Sequence, residues 1–286
     1  MSSPLSLAAV GNASDKPTVV ALHGAGGGSH HWRHLVQKLG RRCSVVAPDL
    51  NGAARAGRWS GGHRFTASGE AAVTVGIIDA SATPVHLVGH CHGGGVALRV
   101  ARERPGRIAS LALYEPTALH VLKTMGPQGR TALGQVKAVA NGIDQAMANG
   151  TCRGAAKKLV DYLNGEGAWE AMRRDVQADL VRYMPKASLD LHAMIAEPTP
   201  LAAYARFNFP ILLLAGEHAC DSSQMIVRQL ARAMKQASSQ TVYGAGHMGP
   251  LSHSDLVSTL IAQHIVRSEP RLASEHDLAN GLSSAA

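Results

Sequence analysis

The feature that most constrains this sequence is an apolar run that leads directly into a glycine-flanked cysteine and then into a helical pattern. The run Val85–Val88 is typical of a buried strand, the pentapeptide GHCHG follows at 89–93, and helix-forming residues continue to Ala101. A sharp turn from strand to helix holds the residue at its tip in a strained, exposed position, and flanking glycines prevent clashes there. The pattern predicts that Cys91 is a nucleophile at the tip of a strand.

Further apolar runs alternate with helical patterns along the chain, which favours a mainly parallel sheet covered by helices on both faces. Predicted strands are Leu5–Val10, Pro17–Leu22, Cys43–Asp49, Pro84–Gly89, Ile108–Tyr114, Pro210–Ala215 and Gln240–Gly244. Predicted helices include Trp32–Leu39, Thr66–Ala80, Gly93–Arg104, Met225–Lys235 and a last helix that contains Leu256 and Ile265. The fold class expected from this order is α/β, with a doubly wound sheet.

About 90 residues separate the strand ending at Tyr114 from the strand starting at Pro210, and they have helical composition with glycine breaks. Lys157–Leu163 and Trp169–Arg182 are amphipathic within this stretch. Because a structureless loop of this length is uncommon in a compact domain, we expect a helical cap at 117–204. Residues 1–116 and 205–267 would then form the core, and the polar segment 268–286 a flexible tail.

Composition narrows the class of partner. The chain carries a net charge of +8, but its basic residues are scattered and no aromatic residues are interleaved with them, so we expect no nucleic-acid partner. The four cysteines lack metal-ligand spacing, so no metal site is expected. The sequence has no apolar stretch of about 20 residues, so no membrane span is expected. Its first residues lack a charged leader followed by a long apolar run, so a cytoplasmic location is expected. A homo-oligomer remains an alternative to a monomer.

A base for the cysteine is offered by His247, in the loop GAGHMGP at 244–250 directly after the last predicted strand. A histidine on a glycine-rich loop at the end of that strand can reach over the carboxyl edge of the sheet. Its place in the chain, after the nucleophile and the acid, agrees with the order nucleophile, acid, base. Position, rather than the presence of a histidine among the chain's 15, singles it out.

An oxyanion hole is predicted at the end of the strand Pro17–Leu22, where HGAGGG follows at 23–28. Glycine-rich turns expose backbone N–H groups with little steric hindrance. The expected donors are the N–H groups of Ala25 and of His92, the residue after the nucleophile. The segment lacks the lysine and hydroxyl residue that a phosphate-binding loop requires.

Two carboxylates compete for the role of the acid. Glu115 closes the strand Ile108–Tyr114, and Asp221 lies five residues after the Gly216 that ends a later apolar run. We favour Glu115, because its position at the strand end and its long side chain allow it to meet the imidazole. Asp221 stays as the alternative acid, and either residue could instead be a helix cap or a surface acid.

These motifs together resemble the α/β-hydrolase superfamily. The resemblance extends from about residue 5 to residue 267 and depends on the segments HGAGGG, PVHLVGHCHGGG, LALYEP, LLLAGEH and GAGHMGP. It implies an eight-stranded, mostly parallel sheet with a lid, and acyl transfer through a covalent intermediate without a cofactor. In some members the acid follows the strand after the nucleophile helix, which agrees with Glu115. Dehalogenase-like members need a carboxylate where this chain has Cys91, so that activity is not expected.

The departure from the superfamily is the cysteine, since most relatives carry serine at this position. Cysteine in this box is similar to that of dienelactone hydrolases and of polyhydroxyalkanoate depolymerases and synthases. Cys91 is either natural or an engineered replacement for serine, with the same reaction class. The expected function is hydrolysis of an ester, thioester or lactone of a small, largely apolar molecule through an acyl-cysteine. An acyltransferase or synthase using the same intermediate, and a non-catalytic ligand receptor, are the alternatives.

Overall fold

A computed structural model of the chain describes residues 16–53 and 67–269. The described part contains a parallel sheet of six strands in the order β2-β1-β3-β4-β5-β6. The strands are β1 (Thr18–Leu22), β2 (Ser44–Val46), β3 (Val85–His90), β4 (Ile108–Tyr114), β5 (Ile211–Gly216) and β6 (Ala237–Val242). The α/β class is therefore confirmed. Within this part there are six strands rather than the expected eight. The predicted strand Leu5–Val10 lies outside the described residues, and so does Thr66, the first residue of the predicted helix Thr66–Ala80.

Helices connect the strands and cover both faces of the sheet. Those of the first part of the chain are α1 (Arg33–Leu39), α2 (Ala67–Ala80) and α3 (Cys91–Glu103). Between β4 and β5 lie α4 (Gly126–Ala148), α5 (Cys152–Asn164), α6 (Ala168–Ala171), α7 (Arg174–Ala196) and α8 (Leu201–Tyr204). The last are α9 (Asp221–Ala233), α10 (Gly249–Ser252) and α11 (Ser254–Ser268).

Alternate residues of the central strands enter two different cores, as the period of two of a strand requires. On β4, Leu111 and Leu113 pack with residues of α3 and α9, whereas Ala112 and Tyr114 pack with residues of α1 and α11. Both cores consist mainly of buried aliphatic side chains. The continuous apolar runs in the sequence follow from this two-sided burial.

The strand order reverses at β1, which lies between β2 and β3 although it comes first in the chain. In a parallel sheet the carboxyl ends of all strands meet at one edge, and a crevice opens where the order reverses. The loop after β1 and the start of α3 face each other at this point. Ligands of such sheets bind at that edge, so the fold brings the predicted site residues toward one place.

The helices between β4 and β5 have an apolar core of their own, which includes Leu159, Trp169, Tyr183 and Met184. The amphipathic stretch predicted at 169–182 is two helices, because α6 ends at Ala171 and α7 runs from Arg174 to Ala196, past Pro185. Helical structure is thus observed throughout this region. The division of the chain into a core and a cap remains a prediction.

Candidate active site

Cys91 lies at the junction of β3 and α3, with a backbone φ of 51°. A non-glycine residue rarely adopts this left-handed conformation, so the surrounding structure must hold it. Two glycines make the turn possible. A Cβ on Gly93 would lie 2.4 Å from the carbonyl oxygen of His23, and one on Gly89 would lie 2.7 Å from the carbonyl oxygen of Gly93. Any larger residue would therefore strike backbone on either side of the cysteine.

Glu115 follows the last residue of β4 and has a φ of 43°. Its carboxylate is 1% exposed and both oxygens have partners. Oε1 accepts the backbone N–H of Gly216 at 2.9 Å, and Oε2 lies 2.7 Å from Nδ1 of His247. The neighbouring strand thus holds one oxygen and directs the other toward the imidazole.

His247 is carried on the loop after β6 and is held there by two side chains from the central strands. The hydroxyl of Tyr114 donates to the carbonyl oxygen of Gly246 at 2.7 Å, and Nε2 of His90 lies 2.9 Å from the carbonyl oxygen of His247. Since a carbonyl can only accept, His90 donates from Nε2. With Nδ1 of His247 on Glu115, the other ring nitrogen is left for the thiol of Cys91, and the two groups are close enough to shift each other's pKa.

Burial and charge act in opposite directions on the cysteine. Burial raises the pKa of the Cys91 thiol, but the positive charge of His247 and the hydrogen bonds from His247, Thr117 and the Ala25 N–H outweigh it, so that the pKa is lowered to about 7. Burial lowers the pKa of His247, yet the negative charge of Cys91 and the contact with Glu115 raise it well above its usual range. The favoured state of the pair is a thiolate beside an imidazolium.

Asp221, the alternative acid, is the first residue of α9 and is exposed to solvent. The carboxylate bonded to His247 is that of Glu115. The loop after Gly216 curls back on itself instead of extending, because the N–H of His218 donates to the carbonyl oxygen of Ala245 at 2.8 Å.

The predicted oxyanion donors both lie beside the cysteine. The N–H of Ala25 is close enough to the Cys91 sulfur to help lower the pKa of the thiol, and His92 is the second residue of α3, where a helical N–H has no partner within the helix. His23 shapes this loop. Its Nε2 accepts the N–H of Leu50 at 3.0 Å, so its Nδ1 must carry the proton and donate to the carbonyl oxygen of Gly24 at 2.8 Å.

Thr117 also contacts the cysteine, although no sequence motif singles it out. Its Oγ1 lies 3.5 Å from the sulfur of Cys91, and its N–H donates to the carbonyl oxygen of the same residue at 2.9 Å. Thr117 follows Glu115 by two residues. The only available signal was therefore its closeness to a candidate acid at a strand end.

A comparison with known proteins identifies the family. A model of the alpha/beta hydrolase family matches residues 19–260 of the chain. The chain belongs to the alpha/beta hydrolase family. The resemblance carried by the sequence motifs is thereby confirmed, and so is the α/β-hydrolase fold.

Two curated relatives match parts of this hydrolase. The first is the dihydrolipoyllysine-residue acetyltransferase component of the acetoin cleaving system of Cupriavidus necator, which is 28% identical over 167 residues. That alignment covers 58% of this chain and 39% of the relative. The second is the putative carbamate hydrolase RutD of Caulobacter vibrioides, which is 30% identical over 132 residues. That alignment covers 41% of this chain and 49% of the relative. The hydrolase thus spans less than half the length of either relative.

Among solved structures, a thermophilic esterase from Thermogutta terrifontis superposes with a TM-score of 0.69 at 18% identity, over 89% of this chain and 91% of the esterase. At this level of identity the likeness shows the fold alone. In the hydrolase itself, none of the helices within 16–53 and 67–269 is long and apolar enough to span a membrane.

The hydrolase encloses a cavity of about 60 Å³ beside Cys91 and His247. Its far wall is apolar and is formed by α4, α5, α7 and α9. The apolar lining consists of Leu119, Val136, Val139, Leu159, Leu163, Ala187, Leu191, Met194 and Ile226. Of the methionines in the region 117–204, Met194 lines the cavity, whereas Met184 is buried in the core of the helices. The cavity therefore suits an alkyl group, but it is lined mainly by leucine, valine and alanine.

Proposed function

We propose that this hydrolase cleaves an ester, thioester or lactone of a small, largely apolar molecule through an acyl-enzyme on Cys91. The observation that carries the proposal is the chain of contacts from Glu115 through His247 to Cys91, with 2.7 Å between Oε2 of Glu115 and Nδ1 of His247. A buried carboxylate, imidazole and thiol in this order form an activated nucleophile with its base and its orienting acid.

In the first half of the reaction, the thiolate of Cys91 attacks the carbonyl carbon and a carbon–sulfur bond forms. The carbonyl oxygen becomes an oxyanion, which the N–H groups of Ala25 and His92 stabilise. Losing one such donor typically costs on the order of 3 kcal/mol of transition-state stabilisation. The bond to the leaving group then breaks, and the imidazolium of His247 gives its proton to the departing oxygen or sulfur.

In the second half, neutral His247 takes a proton from water, and the resulting hydroxide attacks the thioester carbonyl. The carbon–sulfur bond breaks, the carboxylic acid leaves, and the thiolate forms again beside the imidazolium. Glu115 keeps the imidazole oriented in both halves and stabilises its positive charge. Oxygen and sulfur leaving groups are favoured over amines, because the tetrahedral species expels a thiolate more readily than an amine.

The apolar cavity supports an acyl group with an alkyl chain, since burial of each CH₂ group contributes about 0.8 kcal/mol. The names of two matched proteins, a carbamate hydrolase and an esterase, are consistent with attack on an activated carbonyl. The identity of the acyl group is the object of the test below.

Intact-protein mass spectrometry after incubation with p-nitrophenyl esters of graded chain length tests the proposal. We expect an acyl adduct that peptide mapping assigns to Cys91, together with release of the nitrophenol. Cys91→Ala should give neither, whereas Cys220→Ser, which removes a free cysteine outside the contact chain, should match the unmodified protein. A folded protein that forms no adduct with any ester would overturn the proposal and favour a non-catalytic receptor.

Acyl transfer to an acceptor other than water is a second candidate, because one matched relative is named as a component with acetyltransferase activity. The acyl-enzyme is common to both reactions. The two are separated by adding an alcohol or thiol acceptor to the acylated enzyme. Faster decay of the adduct with formation of a new ester or thioester would indicate transfer, and an unchanged decay rate would indicate hydrolysis.

A further inference from the structure

One part of the largely apolar cavity wall carries hydroxyl groups. Tyr162 of α5 and Ser222 and Ser223 of α9 all line the cavity beside Cys91. The hydroxyl oxygens of Tyr162 and Ser222 lie 2.8 Å apart and are hydrogen-bonded to each other. We call these three residues the hydroxyl patch. Three hydroxyls together in a wall of leucine, valine and alanine call for an explanation.

The hydroxyl patch is shielded from bulk water. Ser222 is 4% exposed, Ser223 is 8% exposed and Tyr162 is partly buried. Burial raises the pKa of Tyr162, so its phenol keeps its proton at neutral pH. A buried hydroxyl costs free energy unless it is hydrogen-bonded. In the hydrogen bonds that the structure describes, none of the three contacts the catalytic cysteine, acid or base, so catalysis does not account for the patch.

The contacts around the patch leave one hydroxyl hydrogen without an acceptor. Cys220, which precedes α9 and does not line the cavity, donates its S–H to Oγ of Ser223 at 3.3 Å. The same sulfur lies 3.4 Å from Oγ of Ser222, and Ser222 donates there because the thiol hydrogen is already used. Ser222 must then accept from Tyr162. The hydrogen that remains is that of the Ser223 hydroxyl.

Ser223 also does not satisfy its hydroxyl within its own helix. A helical serine often donates to the carbonyl four residues before it, which here belongs to Ala219. That carbonyl accepts from the side-chain amide of Gln224 at 3.0 Å. Among the hydrogen bonds of the described residues, Ser223 takes part only in the one that it accepts from Cys220. Since Ser223 lines the cavity, a group bound in the cavity can supply the acceptor.

The group that fits must accept a hydrogen bond and carry no charge. An ammonium cannot accept, and an alkyl group would leave the hydrogen unpaired. A carboxylate can accept, but no lysine or arginine of the described residues lines the cavity, whereas Glu115 and Asp190 do. Its charge would be buried beside like charges without a cation of its own. A ketone, ether or hydroxyl oxygen meets both conditions.

We propose that Ser223 donates a hydrogen bond to a neutral oxygen on the alkyl part of the acyl group, so that oxygen-substituted acyl esters or thioesters are the preferred substrates. The proposal rests on the function proposed above, in which the cysteine is acylated. Tyr162 and Ser222 are positioning residues, because their hydrogen bonds fix the direction in which the Ser223 hydroxyl donates. Leu163 and Ile226 line the cavity next to the patch and contact the alkyl part.

The test compares thioesters of one thiol with matched six-carbon acyl groups: hexanoyl, 4-oxohexanoyl, 5-oxohexanoyl and adipoyl. We expect kcat/KM for one of the oxohexanoyl thioesters to exceed that for hexanoyl by about tenfold or more, because a buried donor discriminates against a substrate that lacks its acceptor. In Ser223→Ala this ratio should fall to about one, whereas Ser223→Thr keeps the hydroxyl and should retain most of it. Ser258→Ala removes another buried helical serine, in α11 and outside the cavity lining, and should leave the ratio unchanged.

The outcomes separate this inference from the proposed function. If the thioesters acylate Cys91 and neither oxohexanoyl thioester is preferred over hexanoyl, the subsite is wrong while the acyl-enzyme stands. A preference for adipoyl would indicate an anion site and would also overturn it, as would an oxohexanoyl preference that survives in Ser223→Ala. If no thioester acylates Cys91, the proposed function itself fails. Should Ser223→Ala not fold, Ser223→Cys, whose thiol is a weaker donor, should show a reduced ratio, and an unchanged ratio would contradict the role of Ser223.

Discussion

Two groups of buried polar residues at the cavity are built in different ways. In the first group, Cys91, Glu115 and His247 each follow a strand of the sheet, and hydrogen bonds with backbone groups hold Glu115 and the His247 loop in place. The second group is the Lys186 cluster, which consists of Glu70 of α2, His92 of α3, and Lys186 and Asp190 of α7. Its members come from three helices and contact one another through their side chains. Glu70 is further held by the side chain and backbone of Asn51.

This difference affects what each group can do. The sheet fixes the position of a side chain that follows a strand. Cys91, Glu115 and His247 are therefore preorganised for chemistry that requires close alignment of reacting groups. The Lys186 cluster depends on how α7 packs against α2 and α3.

The largest effect should come from the first group. His247→Gln removes the base and the charge that opposes burial, so the pKa of Cys91 should rise and the turnover of an acyl ester should fall by about 10⁴-fold. Steady-state kinetics measure the fall. His218→Gln, at an exposed histidine 29 residues earlier, is the matched control and should leave turnover unchanged. Equal effects of the two substitutions would contradict the role of His247.

In the Lys186 cluster, Lys186→Met should mainly affect folding. The substitution leaves the buried carboxylates of Glu70 and Asp190 without their ammonium, and breaking a buried ion pair in this way costs about 3–5 kcal/mol. Urea unfolding measures the loss. Lys157→Met removes a lysine that also contacts two carboxylates, Asp161 and Glu170, but at the surface, so little change is expected. A stable Lys186→Met protein would show that the cluster is less tightly coupled than its burial implies.

Glu115→Gln should have an intermediate effect. The amide oxygen can still accept from the Gly216 N–H, but the negative charge that favours the imidazolium is lost, so turnover should fall about tenfold to hundredfold. The fall is limited because a thiol is more acidic than a serine hydroxyl. Asp221→Asn is the control, since the exposed Asp221 is the other candidate acid. A larger loss in Asp221→Asn than in Glu115→Gln would reverse the assignment.

The smallest effect should come from Tyr114→Phe. It removes the hydrogen bond from the hydroxyl to the carbonyl oxygen of Gly246, which supports the His247 loop. The expected loss of stability is about 1 kcal/mol, as for a single neutral hydrogen bond, with a fall in turnover below tenfold. Thermal unfolding and kinetics measure both. Tyr243→Phe, at an exposed tyrosine near the same loop, should change neither stability nor turnover. If Tyr114→Phe behaves like Tyr243→Phe, Tyr114 does not support the His247 loop.

Much of the fold could be predicted because the central strands are buried on both faces. Ile108–Tyr114 matches the prediction residue for residue, and the strand predicted from Pro210 begins one residue later. The edge strand β6 was harder. It starts at Ala237 rather than Gln240, because most of its residues are exposed and polar, so they give no apolar signal. The start of α7 was also misplaced, since the turn at Met172 and Arg173 interrupts an otherwise continuous amphipathic pattern.

The residues at the site could likewise be predicted only in part. Cys91, His247 and Glu115 could be selected from the sequence because each follows a strand, and strand ends meet at one edge of a parallel sheet. The sequence left both Glu115 and Asp221 as candidate acids, because both follow apolar runs, and in the structure Glu115 contacts His247. The Lys186 cluster could not be predicted, since Glu70 and Asp190 are 120 residues apart and meet only through the packing of α7.

The rate of alkylation of Cys91 by iodoacetamide, followed as a function of pH by peptide mass spectrometry, tests the central claim most directly. Below its pKa the thiol is protonated and unreactive, and above it the thiolate reacts, so the rate should rise through a midpoint near pH 7. In His247→Gln the midpoint should move to higher pH, because the positive charge that opposes the effect of burial is lost. A midpoint at the ordinary cysteine value of about 8.5 in the unmodified protein, unaffected by His247→Gln, would contradict the thiolate–imidazolium pair.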